Sequence, residues 1–397
     1  METYDVIVVG CGPAGSTAGF LLSRMGLRTL LIDKSIFPRQ KLCGGGLTHK
    51  TMNLLGRVFH ESEVSLEQKG IIDYCSHDYE IYFKNRFLVH GISRFPFLFV
   101  DRYVYDHYLL EKARETGADV IQEDSVKTVD LDDSRITTSH GRTVRARFII
   151  GADGVHSLVR KRFPNKVVRK SRWDYNLATA LEIFIPRSVM PRDINRPIIH
   201  FGYIDWGYSW LFPNHDQIIV GIGGLNRNNN KKFLQLFRKY VSDVAPDHAV
   251  EDISISGHPV PSGNYVKQPV YGNVMLIGDA AGFADPISGE GIYQAQRSAE
   301  LASLSIHRSL SEGKSLEKTY VNLLEKHLFP DLFHARVLRW IVFKTLGRLT
   351  ADQMEAVIKK GQQRAIDIIH GQRTYKFLKR NRVEPEDDGY VTDRHFH

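Results

Sequence analysis

The chain has 397 residues, of which 42% are hydrophobic and 25% charged, a balance that is ordinary for a globular enzyme and excludes a disordered or fibrous protein. Its net charge of +8 leaves open a membrane surface, a phosphorylated substrate or simply a basic protein. No zinc-finger spacing, RNP motif or long basic block occurs, so no nucleic-acid partner is expected. The three scattered cysteines predict neither a disulfide framework nor a metal or iron–sulfur site.

The first 33 residues predict a nucleotide-binding unit. A β-branched, apolar run at 4–9 leads into a glycine turn and a helical pattern, and a second apolar strand at 29–32 ends in an acidic residue. Glycines in such a turn permit a tight bend and close approach to a pyrophosphate, and the acid accepts hydrogen bonds from ribose hydroxyls. We therefore predict a Rossmann-type dinucleotide site formed by Gly10, Gly12, Pro13, Ala14, Gly15, Asp33 and Lys34.

A second glycine-rich segment follows, in which a Pro-containing turn leads to Cys43, Gly44 and Gly45. Consecutive glycines allow the backbone to approach a flat ring closely. Cys43 is thus a candidate reactive thiol, and its alternative role is that of a small buried filler, the role expected of Cys11 and Cys75.

The chain then alternates between two kinds of pattern. Strands separated by Asn, Pro and Gly turns are predicted at 177–185, 197–203, 208–212 and 217–223, with further strands between 79 and 100, which together indicate an antiparallel sheet. Side chains two residues apart on a strand share a face, so Tyr208, Trp210 and Phe212 are expected to form an aromatic wall for a substrate, or ordinary sheet core.

Three separated segments resemble the signatures of the glutathione-reductase-type flavoproteins, in the branch of aromatic hydroxylases and geranylgeranyl reductases. They are the first glycine turn, the sequence around Asp153 and the sequence Gly278-Asp279 with Gly289, Gly291 and Ile292. The resemblance implies that FAD is the cofactor, that Asp279 binds its ribityl chain and that Gly289, Gly291 and Ile292 lie at the pyrimidine edge of its ring. It also implies cofactor contacts from Arg102, for which a surface helix cap is the alternative, and from the backbone near Val126.

The same resemblance divides the chain. We predict an α/β, two-domain fold: a discontinuous FAD-binding domain (1–70, 100–165 and 265–315), an antiparallel-sheet substrate domain (71–99 and 166–264) and a C-terminal helical region with a tail (316–397). Because no stretch contains 18 uninterrupted apolar residues and the N-terminus lacks a secretory signal, we expect a cytoplasmic protein. The stretch 332–349 mixes aromatic and basic residues, and either membrane contact or packing on the body would explain it.

Two motifs resemble the geranylgeranyl reductases in particular. One is the Cys-Gly-Gly loop at Cys43, and the other is the Tyr-x-Trp-x-Phe-Pro sequence at Tyr208, although Asp205 replaces the Pro of the family pattern. The resemblance implies reduction of carbon–carbon double bonds in a prenyl lipid or diphosphate, with Cys43 and Tyr208 as candidate proton donors. Basic residues that include Arg39 and Lys41 are candidates for holding the diphosphate or lipid phosphate. An aromatic monooxygenase or halogenase, and an electron carrier to a membrane quinone, remain alternatives. The electron donor, NAD(P)H or a ferredoxin-like protein, stays open.

Overall fold

The computed structural model of the protein describes residues 2–229, 232–246, 255–376, 389–392 and 395–396. Most of the predicted tail lies outside these residues. In chain order, the strands are β1 (Glu2–Val9), β2 (Thr29–Ile32), β3 (Gly46–Leu47), β4 (Tyr74–Phe83), β5 (Arg86–Phe99), β6 (Asp119–Ile121), β7 (Val126–Asp130), β8 (Arg135–Thr138), β9 (Thr143–Gly151), β10 (Ala178–Pro186), β11 (Ile198–Phe201), β12 (Gly207–Pro213), β13 (Gln217–Leu225), β14 (Ser256–Val260), β15 (Val270–Tyr271) and β16 (Val274–Leu276).

The α-helices of the described residues are α1 (Pro13–Arg24), α2 (His49–Phe59), α3 (Glu63–Gln68), α4 (Arg102–Glu115), α5 (Leu158–Arg162), α6 (Lys170–Tyr175), α7 (Asn226–Asn229), α8 (Phe233–Val244), α9 (Gly278–Ala281), α10 (Ile292–Ser311), α11 (Leu316–His327), α12 (Phe329–Leu346) and α13 (Ala351–Ile369).

The first sheet is largely parallel and has the order β15-β16-β9-β1-β2-β6, with β7 and β8 added antiparallel beyond β9. Its central strand β1 is parallel to both β2 and β9. The side chains of Val6, Ile7 and Val8 are fully buried because helices cover this sheet, as its unbroken apolar strands predict. The carboxyl ends of β1, β9 and β16 meet at one edge, where α/β proteins bind their ligands.

The second sheet has the order β14-β10-β13-β12-β11-β4-β5-β3 and is antiparallel except where β11 pairs with β4. Four predicted strands between 177 and 223 correspond to β10 through β13. Helix α8 was not predicted from the sequence, and it packs Phe237, Tyr240 and Val241 into a core with the strands. Together with the first sheet and the C-terminal helices, this sheet confirms the predicted fold class. The predicted domain boundaries stay predictions.

Helix α12 presents two different faces. Phe329, Leu332 and Ala335 are buried, together with Arg339, whose Nη1 donates to the hydroxyl and carbonyl oxygens of Ser262 at 2.6 and 2.9 Å. The opposite face leaves four large apolar side chains about half exposed: Phe333, Val337, Trp340 and Ile341. Packing on the body therefore accounts for one face of the predicted amphipathic stretch and not for the other. Among the described residues, no helix is both long enough and apolar enough to span a membrane.

Candidate functional site

The three predicted glycine-containing segments converge at the carboxyl edge of the first sheet. Gly10 has φ +102°, and a Cβ there would lie 2.5 Å from the carbonyl oxygen of Ala152. On the other side, a Cβ added to Gly278 would lie 3.1 Å from the Cβ of Ala14. The first turn thus contacts both the segment before Asp153 and the segment before Asp279, and both contacts require small residues.

The start of α1 offers an anion site. Gly12 is its N-cap without a side-chain capping bond, Pro13 follows at the first position, and no acidic residue occupies the first turn. Arg39 lies beside this turn, with its Nη2 3.6 Å from the Cβ position of Gly12 and 3.0 Å from Asp106 Oδ2. Its Nη1 is buried without a hydrogen-bond partner among the described residues. Open backbone donors and an unsatisfied guanidinium fit a pyrophosphate.

Asp33 holds the turn and keeps the position expected for ribose binding. Its Oδ2 accepts from the backbone N–H of Cys11 at 2.7 Å, and its Oδ1 accepts from Ser35 at 2.9 Å. Each carboxylate oxygen can accept a second hydrogen bond, so Asp33 can brace the glycine turn and still bind a hydroxyl. Lys34 follows it directly. Val126 begins β7, just after the loop in which the backbone N–H of Asp124 donates to the Asp33 carbonyl oxygen at 3.1 Å.

Arg102 is buried at the first position of α4, which differs from the alternative of a surface helix cap. Its Nε and Nη2 donate to the two carboxylate oxygens of Asp106 at 2.6 and 2.8 Å. Burial opposes its charge, but Asp106 and the nearby Cys43 sulfur outweigh burial and raise the pKa of Arg102. The cap itself is Asp101, whose side chain accepts from Tyr103 N–H at 2.7 Å. Arg102 therefore provides a fixed cation beside the Cys43 loop.

Two partly buried carboxyl groups, those of Asp153 and Asp279, face the same region. Asp153 accepts from the backbone N–H groups of Leu158 and Val159 through Oδ2, while its buried Oδ1 has no partner in the described part of the chain. Burial raises the pKa of Asp153 and also that of Asp279. Asp279 Oδ1 lies 3.5 Å from the Cβ position of Gly291, which is the N-cap of α10. Gly289, with φ +69°, and Ile292, the first residue of α10, complete the turn predicted to meet the pyrimidine edge.

The Cys43 loop packs directly onto the aromatic wall. A Cβ on Gly44 would lie 2.7 Å from Phe212 Cδ2 and 3.7 Å from Trp210 Nε1. The rings of Tyr208 and Trp210 are 5.6 Å apart, and those of Trp210 and Phe212 are 6.0 Å apart and stacked. Gly45 has φ +68° and lies too close to the Val100 carbonyl for any side chain. The predicted loop and the predicted wall therefore form one boundary between the two sheets.

The two predicted proton donors are placed differently. The hydroxyl of Tyr208 donates to the carbonyl oxygen of Ser288, in the turn that carries Gly289, so its proton already has an acceptor. Burial raises the pKa of Tyr208 above its ordinary value. The Cys43 sulfur accepts from the Gly45 N–H at 3.5 Å and lies beside Arg102. The catalytic roles of both residues stay predictions.

Two further ionisable groups lie at this boundary, and of these Glu182 was not predicted from the sequence. Lys41 is partly buried near Arg102 and Asp279, and this burial, with a contribution from Arg102, lowers its pKa to about 8. Glu182, on β10, is 2% exposed. A single charged residue inside the apolar run of β10 was the available signal, since such residues are rarely buried without a role.

Comparisons with known proteins agree with the predicted FAD-binding domain. A family model described as "FAD binding domain" matches residues 3–184. The geranylgeranyl diphosphate reductase of Rhodobacter capsulatus is 31% identical over 78% of this chain and 77% of its own length. The menaquinone reductase of Mycobacterium tuberculosis is 27% identical over 81% of this chain and 80% of its own.

Among solved structures, a geranylgeranyl bacteriochlorophyll reductase-like protein from Thermoplasma acidophilum matches with a TM-score of 0.72 and 22% identity, covering 94% of this chain and 92% of that one. At this identity, the match shows the shared fold. The sequence match to the Rhodobacter protein is close and long enough to show the family. The chain belongs to the geranylgeranyl reductase family of FAD-dependent oxidoreductases.

Proposed function

We propose that this protein saturates carbon–carbon double bonds of a geranylgeranyl or related polyprenyl lipid or diphosphate. When bound and reduced, FAD supplies a hydride to one alkene carbon, and an acid of the protein supplies a proton to the other. An isolated alkene is a poor electrophile, so the chain must hold the substrate against the flavin with the acid within hydrogen-bond distance.

The proposal depends mainly on one observation, the packing of Gly44 against Phe212 and Trp210. This contact brings a backbone that can approach a flat ring next to an aromatic wall that suits a long apolar chain. Within the flavoprotein fold, it joins the two motifs that resemble the prenyl reductases. The names of the family relatives support the same substrate class.

The first experiment is anaerobic. The purified flavoprotein is reduced with dithionite, mixed with geranylgeranyl diphosphate or a geranylgeranyl lipid, and followed by product mass and flavin absorbance. The proposal expects a gain of two hydrogens per alkene with stoichiometric flavin reoxidation. Unchanged mass and unchanged flavin with several prenyl substrates would contradict it.

A quinone acceptor is the second candidate, favoured by the relative named menaquinone reductase. Menaquinone carries both a quinone ring and a prenyl tail, and either could receive the electrons. The two outcomes differ after exposure to air, because a reduced ring returns to the quinone whereas a saturated tail keeps its added hydrogens. An aromatic monooxygenase would instead consume oxygen in proportion to a hydroxylated product. Its usual His after Gly-Asp-Ala-Ala is Gly282 here.

We also propose that the exposed face of α12 contacts an anionic membrane surface. Phe333, Val337, Trp340 and Ile341 recur at helical spacing, and Lys344 Nζ lies 4.5 Å from the centre of the Trp340 ring. Arg336 and Arg348 add positive charge at the border of this stripe. Apolar side chains bordered by cations are typical of helices that lie in a membrane interface. A lipid substrate would be met at such a surface.

A further inference from the structure

Glu182 belongs to a row of three residues across adjacent strands. It pairs with Gly221 of β13, and Gly221 pairs with Trp210 of β12, so the three lie side by side and their Cβ positions share one face of the second sheet. Any Cβ on Gly221 would collide with the indole ring of Trp210. The ring therefore lies across the glycine and brings the aromatic wall up to the carboxyl of Glu182.

The carboxyl is enclosed and incompletely satisfied. Glu182 Oε2 and Trp210 Nε1 are both buried, and neither makes a hydrogen bond of normal geometry within the described residues. The indole N–H and the backbone N–H of Cys43 nevertheless lie close enough to act on the carboxyl. A buried oxygen without a hydrogen-bond partner costs free energy. This cost indicates that a bound molecule, such as the cofactor or the substrate, completes the surroundings of the Glu182 carboxyl.

Charged and titratable groups approach Glu182 from both sides. From the cofactor side come Lys41 and Arg102, and from its own sheet comes Tyr208. His258 of β14 occupies the next row of the same face, opposite Ala180. Burial raises the pKa of Glu182 to about 7, although Lys41 lowers it in part. The carboxyl consequently keeps its proton through acidic pH and loses it as the pH rises through about 7.

We propose that Glu182 is the acid that protonates the alkene in the reduction described above, and this inference rests on that proposed function. The proton on the Glu182 carboxyl forms a new C–H bond at one alkene carbon while the other carbon receives the hydride. The π bond is lost, the alkene is reduced, the flavin is oxidised, and the resulting carboxylate regains a proton from solvent. Glu182 fits this role better than Tyr208, whose hydroxyl already donates to Ser288.

The test is Glu182→Gln in the FAD-loaded, dithionite-reduced protein, with flavin reoxidation by geranylgeranyl diphosphate followed across pH. Wild type should lose rate as pH rises through about 7. The variant should be slower by about 10²-fold at low pH and should lack this limb. Glu182→Asp should restore part of the rate and part of its decline with rising pH. Glu80→Gln is the matched control, because Glu80 is on β4 of the same sheet and its carboxylate lies 3.6 Å from Arg196.

A second readout is independent of turnover. Infrared titration of the oxidised FAD-bound protein should show a protonated-carboxyl band that disappears as pH rises through about 7 and is missing in Glu182→Gln. Absence of this band in wild type, or its persistence in the variant, would overturn the inference. If wild type is active and Glu182→Gln is equally active, the role of Glu182 is overturned but the proposed function stands. A wild type that leaves every prenyl substrate unchanged would overturn the proposed function, and the role of Glu182 in it.

Discussion

Gly44 packs against the ring of Phe212, whose Cδ2 and Cε2 would lie 2.7 and 2.8 Å from any Cβ at that position. Gly44→Ala should therefore displace the Cys43 loop and lower the rate of prenyl reduction by at least about tenfold, since small misplacements in a reacting pair are costly. The flavin spectrum and single-turnover rates measure the effect. Gly46→Ala, two residues further on at the start of β3, is the control, because a Cβ there has no atom within 4 Å. Equal rates for both variants would contradict the assignment.

Gly221→Ala should destabilise the protein, because Trp210 occupies the space of the added methyl group. Overpacking of this kind costs about 1–3 kcal/mol. Urea denaturation of the variant measures the loss in the free energy of unfolding. Combining Gly221→Ala with Trp210→Leu removes the colliding ring, so the pair should lose less than the sum of the single changes. Strict additivity would show that the two residues do not compete for space.

Arg102→Ala should reduce both stability and FAD retention. It removes a bidentate partner from Asp106, whose side chain is fully buried, and among the described residues leaves Arg39, at 3.0 Å, as its remaining ion-pair partner. Breaking a buried ion pair costs about 3 kcal/mol or more. On the same helix, Arg114 pairs with Glu111 in solvent, and Arg114→Ala should cost under about 1 kcal/mol. Denaturation midpoints and rates of FAD release are measured for both variants. Similar losses in the two would refute the distinction between the buried and the exposed ion pair.

Glu182 should make stability depend on pH. Its pKa is about 7 in the folded protein and near 4.5 ordinarily, so the folded state holds the proton more tightly. The bound proton therefore contributes about 3 kcal/mol to the free energy of unfolding below about pH 4.5. This contribution is lost as the pH rises from about 4.5 to about 7. Glu182→Gln should lack this contribution and become the more stable protein at pH 8. Denaturation curves at pH 5 and pH 8 give the free energy of unfolding of both proteins. If it changes equally with pH in wild type and in Glu182→Gln, the assignment is disproved.

The exposed stripe of α12 should be needed for binding to anionic vesicles. Trp340→Glu with Ile341→Glu places two acids on it and should weaken sedimentation with phosphatidylglycerol vesicles by about tenfold or more. Ile92→Glu is the control, because Ile92 is an apolar residue that is 68% exposed and belongs to β5, not to this helix. Wild-type binding that is absent, or unaffected by the double change, would refute the membrane surface.

Local patterns predicted the parts of the fold that depend on local signals. The strand at 29–32 corresponds to β2, and the alternating runs from 177 to 223 correspond to β10 through β13. The glycines of the first turn were recognisable because their spacing reflects close contacts within one strand, turn and helix. Helix α8 was missed since Asn and Lys residues precede it and no capping side chain marks its start.

Predicting the whole site required contacts between residues that are far apart in the sequence. Arg39 lies beside Gly12 of the first glycine turn, whereas the sequence suggested it only as a candidate for holding the phosphate of the substrate. Glu182 was passed over because its relation to Trp210 depends on strand register, which sets Gly221 between them. Register arises from pairing across the whole sheet and leaves no mark on neighbouring residues in the sequence.

Arg339 also bears on where this protein can be shortened. Its guanidinium is buried and donates to Ser262, whose hydroxyl in turn donates to the carbonyl oxygen of Pro286 at 3.0 Å. A truncation that ends before α12 would strip the partner from Ser262 and loosen the turn that carries Ser288 and Gly289. The minimal catalytic unit is therefore expected to include α12 at least through Arg339.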